Sequence, residues 1–151
     1  VVNFIFKEND WETLSMAQSG NAADQRVHKR LSERIRVEFR LLGTSAAIQN
    51  MPFMATQTRD ISAGGLFIEL MDKHITSQSQ SVVDDFLLFK SELDLRIMLP
   101  TRQSPIPAQG KAVWIEKEVP GRDYRHGVAI SFTRIDPGDR NFIDEFVMAR
   151  L

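Results

Sequence analysis

Two arginines four residues apart, Arg30 and Arg34 in "RLSER", lie in the most basic stretch of the chain. Residues 26–40 carry six lysines and arginines against two glutamates, a local excess of four positive charges in a protein of net charge −1. The rest of the chain therefore sums to −5. A guanidinium is a planar fork that pairs bidentately with phosphate oxygens. One basic arm on an otherwise acidic protein suits a compact anion better than a long polyanion. A second cluster follows in "TRDISAGGLFIEL", residues 58–70, where Asp60, Ser62, Gly64 and Gly65 separate two apolar runs. It has two readings. Asp and Ser can bond their own backbone while Gly supplies positive φ, making a β-turn. Alternatively, the turn holds a ligand. Each cluster is weak by itself: D-x-S-x-x-G arises by chance in roughly a few per cent of chains this long.

Other chemistries lack their residues. The chain has no cysteine, which removes disulfides and thiolates. His28, His74 and His126 are scattered without an i, i+4 pair, so no zinc site is expected. No nucleophile elbow, dinucleotide fingerprint or P-loop occurs. Asp84 and Asp85 are adjacent but sit in a polar insertion, with nothing to shelter a general acid or base. The expectation is a protein without catalytic residues, metal or cofactor.

The elements that must position these residues read as strands. "IRVEFRLLG" (35–43) alternates apolar with charged residues, a period of two. "MPFMATQTRDI" (51–61), "GLFIEL" (65–70), "LDLRIMLP" (93–100), "QGKAVWIEKE" (109–118) and "YRHGVAISFTRI" (124–135) supply five more. Six short strands with turn chemistry between them predict an all-β, six-stranded antiparallel barrel or sandwich. Asp136 followed by Pro137 is a helix start. Phe142, Ile143, Phe146 and Val147 form an apolar stripe, so a C-terminal α-helix should lie across the barrel. Arg36 and Arg40 alternate outward and read as surface residues.

Two segments stand apart. Residues 1–25 form an apolar N-terminal piece (Phe4, Ile5, Phe6, Trp11, Leu14) and a polar linker, an extension to the domain at 26–151. Asp10 is a candidate cap for a short helical turn there. Residues 71–92 are too long for a hairpin loop, and "VVDDFLLFK" suits two helical turns. The chain opens on Val1, so residues upstream are expected. No apolar run approaches a membrane span and no basic-then-apolar leader is present, which with the absence of cysteine points to the cytoplasm.

The two clusters, in this order and flanking the first strands of such a barrel, resemble the PilZ domains, small β-barrels that bind the bacterial second messenger cyclic di-GMP. The resemblance covers residues 29–151. It includes R-x-x-x-R (Arg30, Arg34), D-x-S-x-x-G (Asp60, Ser62, Gly65), "GKAVWI" with Trp114, and "YRHGVAISF" before a terminal helix. It departs at the 71–92 insertion, where the family has a shorter connection. What it implies is a receptor domain whose arginine arm orders over the ligand on the barrel and signals to a protein partner.

Residue chemistry fits that implication. The ligand offers two phosphates and two guanines, and an arginine can grip either or stack on a purine. Asp60 is the candidate acceptor for the guanine N1–H and amino group, with Ser62 bonding a base or phosphate. Gly64 and Gly65 allow close approach of backbone and ligand. Lys29 is a candidate third cation. Trp114 is either an inward core residue or a wall near the ligand. Against this stand a protein-interaction adaptor on a degenerate barrel, and a single-strand nucleic-acid binder, which the acidic balance disfavours. Neither DNA nor RNA is an expected partner. The number of ligands bound and the downstream process are not written in the motifs.

Overall fold

The structure is a computed structural model describing residues 28–42, 52–71, 92–117, 120–124 and 126–151. The extension at 1–25, and residues 72–91 of the insertion, lie outside the described residues. Among the described residues six strands and one helix follow in order: β1 (Arg36–Leu42), β2 (Met54–Ser62), β3 (Gly65–Leu70), β4 (Glu92–Met98), β5 (Ile106–Lys117), β6 (His126–Ile135) and α1 (Pro137–Arg150). Neighbours pair antiparallel and close a barrel in the order β1-β2-β3-β6-β5-β4. Closure leaves no open sheet edge.

Alternation determines which side chains fill it. Val37, Phe39 and Leu41 of β1 point inward beside Leu93, Leu95 and Ile97 of β4, all at most 1% exposed. Leu66 and Ile68 of β3 join Val128 and Ile130 of β6 in the same core. Burying one such side chain contributes about 1.5–3 kcal/mol, so this interior is the main source of stability. α1 starts as expected: the Asp136 carboxylate accepts from the Gly138 and Asp139 N–H groups at 2.8 and 3.2 Å, and Pro137 fills the first turn. Its Ile143, Phe146 and Val147 are buried in the barrel core, with Phe142 packed beside them.

Two β-bulges decide the outer face. Thr58 and Asp60 are two apart and would share a side of a regular strand. A bulge between them pairs Thr58 with the inward Ile68 and Asp60 with the outward Phe67. On β5 a bulge between Ala112 and Trp114 likewise pairs Ala112 with inward Ile130 and Trp114 with outward Ala129. Trp114 therefore leaves the barrel interior. It remains only 1% exposed, in an outer cluster with Phe67, Tyr124 and Ala129. Of the two placements the sequence leaves open for Trp114, the inward core position is not adopted: it is buried, but outside the barrel. β5 also starts earlier than its sequence pattern suggests, at Ile106, with Pro107 opposite Arg96 of β4.

Candidate functional site

The arginine arm is stitched to β2. Leu31 and Ile61 exchange backbone hydrogen bonds of 2.8 and 3.0 Å, and the Thr58 N–H donates to the Ile35 carbonyl at 2.8 Å. The Thr58 hydroxyl donates to the Glu33 carbonyl at 2.7 Å and accepts from the Ile35 N–H at 3.0 Å. Leu31 and Ile35 are buried as the arm's anchors. The arm expected to order on ligand thus already lies along β2 from Leu31 to Ile35. Its side chains alternate. Residues 30, 32 and 34 meet acids on the barrel's outer face, whereas Leu31 and Ile35 enter the core and Glu33 turns to Arg150 of α1 at 3.2 Å. In an extended segment an even spacing keeps side chains on one side, so R-x-x-x-R presents both guanidiniums to the same surface.

That surface joins the two sequence clusters. Asp60 accepts from the Ser32 hydroxyl at 2.9 Å and from Arg59 Nε at 3.2 Å, and Arg30 approaches it at 4.0 Å. Arg34 donates through Nη1 to Glu69 at 2.7 Å, and its Nη2 lies 3.9 Å from Asp123. The Glu69 side chain is 0% exposed, whereas that of Arg34 is 53% exposed. Glu69 Oε2 has no hydrogen-bond partner among the described residues. Removing one partner of a buried ion pair costs about 3–5 kcal/mol, whereas one charge-assisted hydrogen bond to a ligand returns about 1.5–3 kcal/mol. With the half-exposed Arg34 reducing that cost, the ion pair and a ligand bond are of similar size. A ligand bonding the free edge of Arg34 therefore gains more than one that must break the pair.

Next to the arm lies a floor of aromatic rings. The Arg59 guanidinium sits 4.0 Å from the centroid of Phe67, and Phe67 packs on Trp114 and Tyr124 at centroid distances of 5.6 and 6.1 Å. Arg59 also donates to Glu116 at 3.3 Å and to the Tyr124 hydroxyl at 3.2 Å, and that hydroxyl donates to Glu116 at 3.3 Å. Burial works to lower the Arg59 pKa, but Asp60 and then Tyr124 outweigh it, so the cation is held above its ordinary value. Burial raises the Tyr124 phenol; Arg59 pulls it partly back, Glu116 pushes it up again, and the net shift is upward. The positive charges of Arg30, Arg34 and Arg59 are thus matched locally by Asp60, Glu69, Glu116 and Asp123.

The remaining sequence candidates divide. The Ser62 hydroxyl accepts from the Gly64 N–H at 3.1 Å and donates to the Gly65 carbonyl at 3.3 Å, so it closes the β2–β3 corner. A Cβ on Gly65 would lie 2.0 Å from the Ile130 carbonyl oxygen, so strand packing occupies the space that glycine leaves. A Cβ on Gly64 would meet the His28 ring at 3.3 Å. Neither glycine has positive φ; among the described glycines only Gly121 does, at 82°. The expected left-handed glycine at this turn is not found, because the Ser62 side chain and the Gly64 carbonyl, which accepts from Phe132 at 2.9 Å, tie the corner down. Lys29 is exposed. Sequence reasoning missed Arg59, Glu69, Glu116 and Tyr124. Arg59 beside Asp60 in "TRDIS" was the available signal, but the bulge that turns its neighbour outward is not written in residue types. Among the described residues, no group of three His, Asp or Glu side chains could hold a metal, and no helix is long and apolar enough to cross a membrane.

Comparisons with known proteins agree on this architecture. The family model of the PilZ domain matches residues 24–149. The structure of the Bacillus subtilis inhibitor of motility MotI/DgrA superposes with a TM-score of 0.60 at 19% identity, over 83% of this chain and 50% of that one. The MrkH–c-di-GMP complex of K. pneumonia superposes with a TM-score of 0.56 at 16% identity, over 82% of this chain and 51% of that one. The chain therefore spans about half the length of each, and at these identities the likeness speaks for the fold alone. No curated protein matches the chain by sequence.

Proposed function

Because this chain belongs to the PilZ domain family, we propose that it is a receptor for cyclic di-GMP and that residues 26–151 form the receptor domain. The observation carrying this reading is the junction of the two motifs: Ser32 bonds Asp60 at 2.9 Å, with Arg30 and Arg34 on either side of Ser32 facing the same outer surface. MrkH, whose complex with c-di-GMP shares this fold, lends it support. Arg30 and the outward edge of Arg34 grip phosphate or the guanine O6 and N7 acceptors. Asp60 accepts from the guanine N1–H and amino group. Ser62, Gly64 and Gly65 hold the corner that presents Asp60, Lys29 adds field, and Trp114 backs the aromatic floor under Phe67. The domain performs no reaction. A ligand bridging Arg30 and Arg34 on the arm already laid along β2 changes the surface offered to a protein partner, and the protein works in the cytoplasm.

A selectivity panel tests this reading. Cyclic di-GMP should bind saturably at micromolar protein, while its adenine counterpart, with an amino donor where guanine O6 accepts, should not. Equal binding of both would refute the base-reading role of Asp60, and binding of neither would leave a protein-interaction adaptor as the better description.

A further inference from the structure

We propose that Glu69 is a positioning residue that holds Arg34 in its ligand-gripping orientation, and that Asp123 is the exchangeable counter-ion a ligand displaces. This rests on the cyclic di-GMP reading and specifies how that site is organised. Glu69 lies on β3, opposite Gly127 of β6, with its carboxylate wholly buried on the outer face. Its backbone is fixed too, since the Thr56 hydroxyl donates to the Glu69 carbonyl. The contact to Arg34 Nη1 is 2.7 Å, a short charge-assisted bond. A guanidinium has five N–H donors in a rigid plane, so fixing Nη1 from below fixes the direction of Nη2 and Nε as well.

The opposite edge of that plane is met differently. Asp123 is 87% exposed, lies 3.9 Å from Nη2, and belongs to the short segment before β6. Exposed pairs of this kind are weak and are screened by salt. An anion arriving at Arg34 therefore replaces Asp123 and leaves Glu69 in place. The two arginines of the arm then differ in kind. Arg34 is bonded to a buried carboxylate at 2.7 Å, while Arg30 stands 4.0 Å from an Asp60 that Ser32 and Arg59 also hold.

The test turns on the sign of two charge removals. A bare electrostatic view says that neutralising either carboxylate should strengthen binding of a ligand with two phosphates. Positioning says that Asp123→Asn tightens cyclic di-GMP binding by roughly two- to fivefold, whereas Glu69→Gln weakens it by roughly tenfold, because the preorganised fork is lost. Titration calorimetry on wild type, both variants, Arg34→Ala and the Glu69→Gln/Arg34→Ala double variant reads this out. In the Arg34→Ala background, Glu69→Gln should cost no further affinity, an outcome general damage to the fold would not give. Unchanged or tighter binding by Glu69→Gln, an equal loss in both backgrounds, or weaker binding by Asp123→Asn overturns the proposal. Wild type that binds while Glu69→Gln is neutral refutes the positioning alone; wild type and Glu69→Gln both failing to bind refute the receptor reading with it.

Discussion

Truncating the two arginines of "RLSER" should have unequal effects on stability before any ligand is added. Arg34→Ala strips the ion-pair partner from Glu69, whose side chain is 0% exposed and whose second oxygen has no hydrogen-bond partner among the described residues. A buried carboxylate left in that state costs about 3–5 kcal/mol; because the Arg34 side chain is 53% exposed and water follows its removal, about 2–3 kcal/mol is the expected loss. For a chain of this size that lowers the melting temperature by roughly 4–12 °C. Arg30→Ala differs, because Asp60 keeps the Ser32 hydroxyl at 2.9 Å and Arg59 Nε at 3.2 Å. The Arg30 side chain is 21% exposed but strands no buried charge when removed, so the expected cost is about 1 kcal/mol, a shift of roughly 2–4 °C. Adding Glu69→Gln to Arg34→Ala should recover most of the loss, since the stranded charge is gone. Thermal and urea unfolding of the four proteins, without ligand, measures all of this. If Arg34→Ala melts with wild type, or Arg30→Ala is the more damaging change, the argument from Glu69 is refuted.

Other predictions concern the corner, the arm and the aromatic floor. Gly65→Ala drives a Cβ into the Ile130 carbonyl 2.0 Å away, so β3 and β6 must part; a loss of about 1–3 kcal/mol in urea unfolding is expected, and none would show that the strands shift freely. Thr58→Val removes the hydroxyl joining Glu33 and Ile35 and leaves a buried N–H and carbonyl unpaired, costing about 1–3 kcal/mol and raising amide exchange in the arm. Tyr124 is the only tyrosine, so its phenolate absorbance reports one site. Its folded pKa is raised above 10.0, so the folded state holds the proton more tightly than the unfolded one. The stability this contributes is fully present below the unfolded pKa and falls as pH rises through the folded value. A titration midpoint at or below 10.0 in the folded protein would contradict the burial described.

The barrel was readable because its code is simple. Val37, Phe39 and Leu41 alternate with charges, and Asp136-Pro137 announces the helix, so strand order and the terminal helix follow from residue types. The start of β5 at Ile106 is not visible in the pattern from Gln109 onward, because Pro107, which has no N–H for the ladder, is accommodated opposite Arg96. The site was half legible. Arg30, Arg34 and Asp60 carry a spacing that means something in an extended chain, and the structure brings them to one surface. The outward turn of Trp114 and the opposite faces of Thr58 and Asp60 depend on bulges, single inserted residues that period-two reading cannot locate. Glu69 was hidden for another reason. In "GLFIEL" it looks like the solvent-side residue of a strand, and only the arm folding back over it makes it a buried partner for Arg34.

The account stands most directly on one calorimetric titration of cyclic di-GMP into the wild-type chain and into Arg30→Ala, the variant whose fold should be intact. It predicts a saturable isotherm for wild type at micromolar protein, weakened at least tenfold in Arg30→Ala by the loss of a charge-assisted contact. A flat trace with the wild-type chain, or an Arg30→Ala isotherm that overlays it, would contradict a clamp built from the arginine arm and the Asp60 corner.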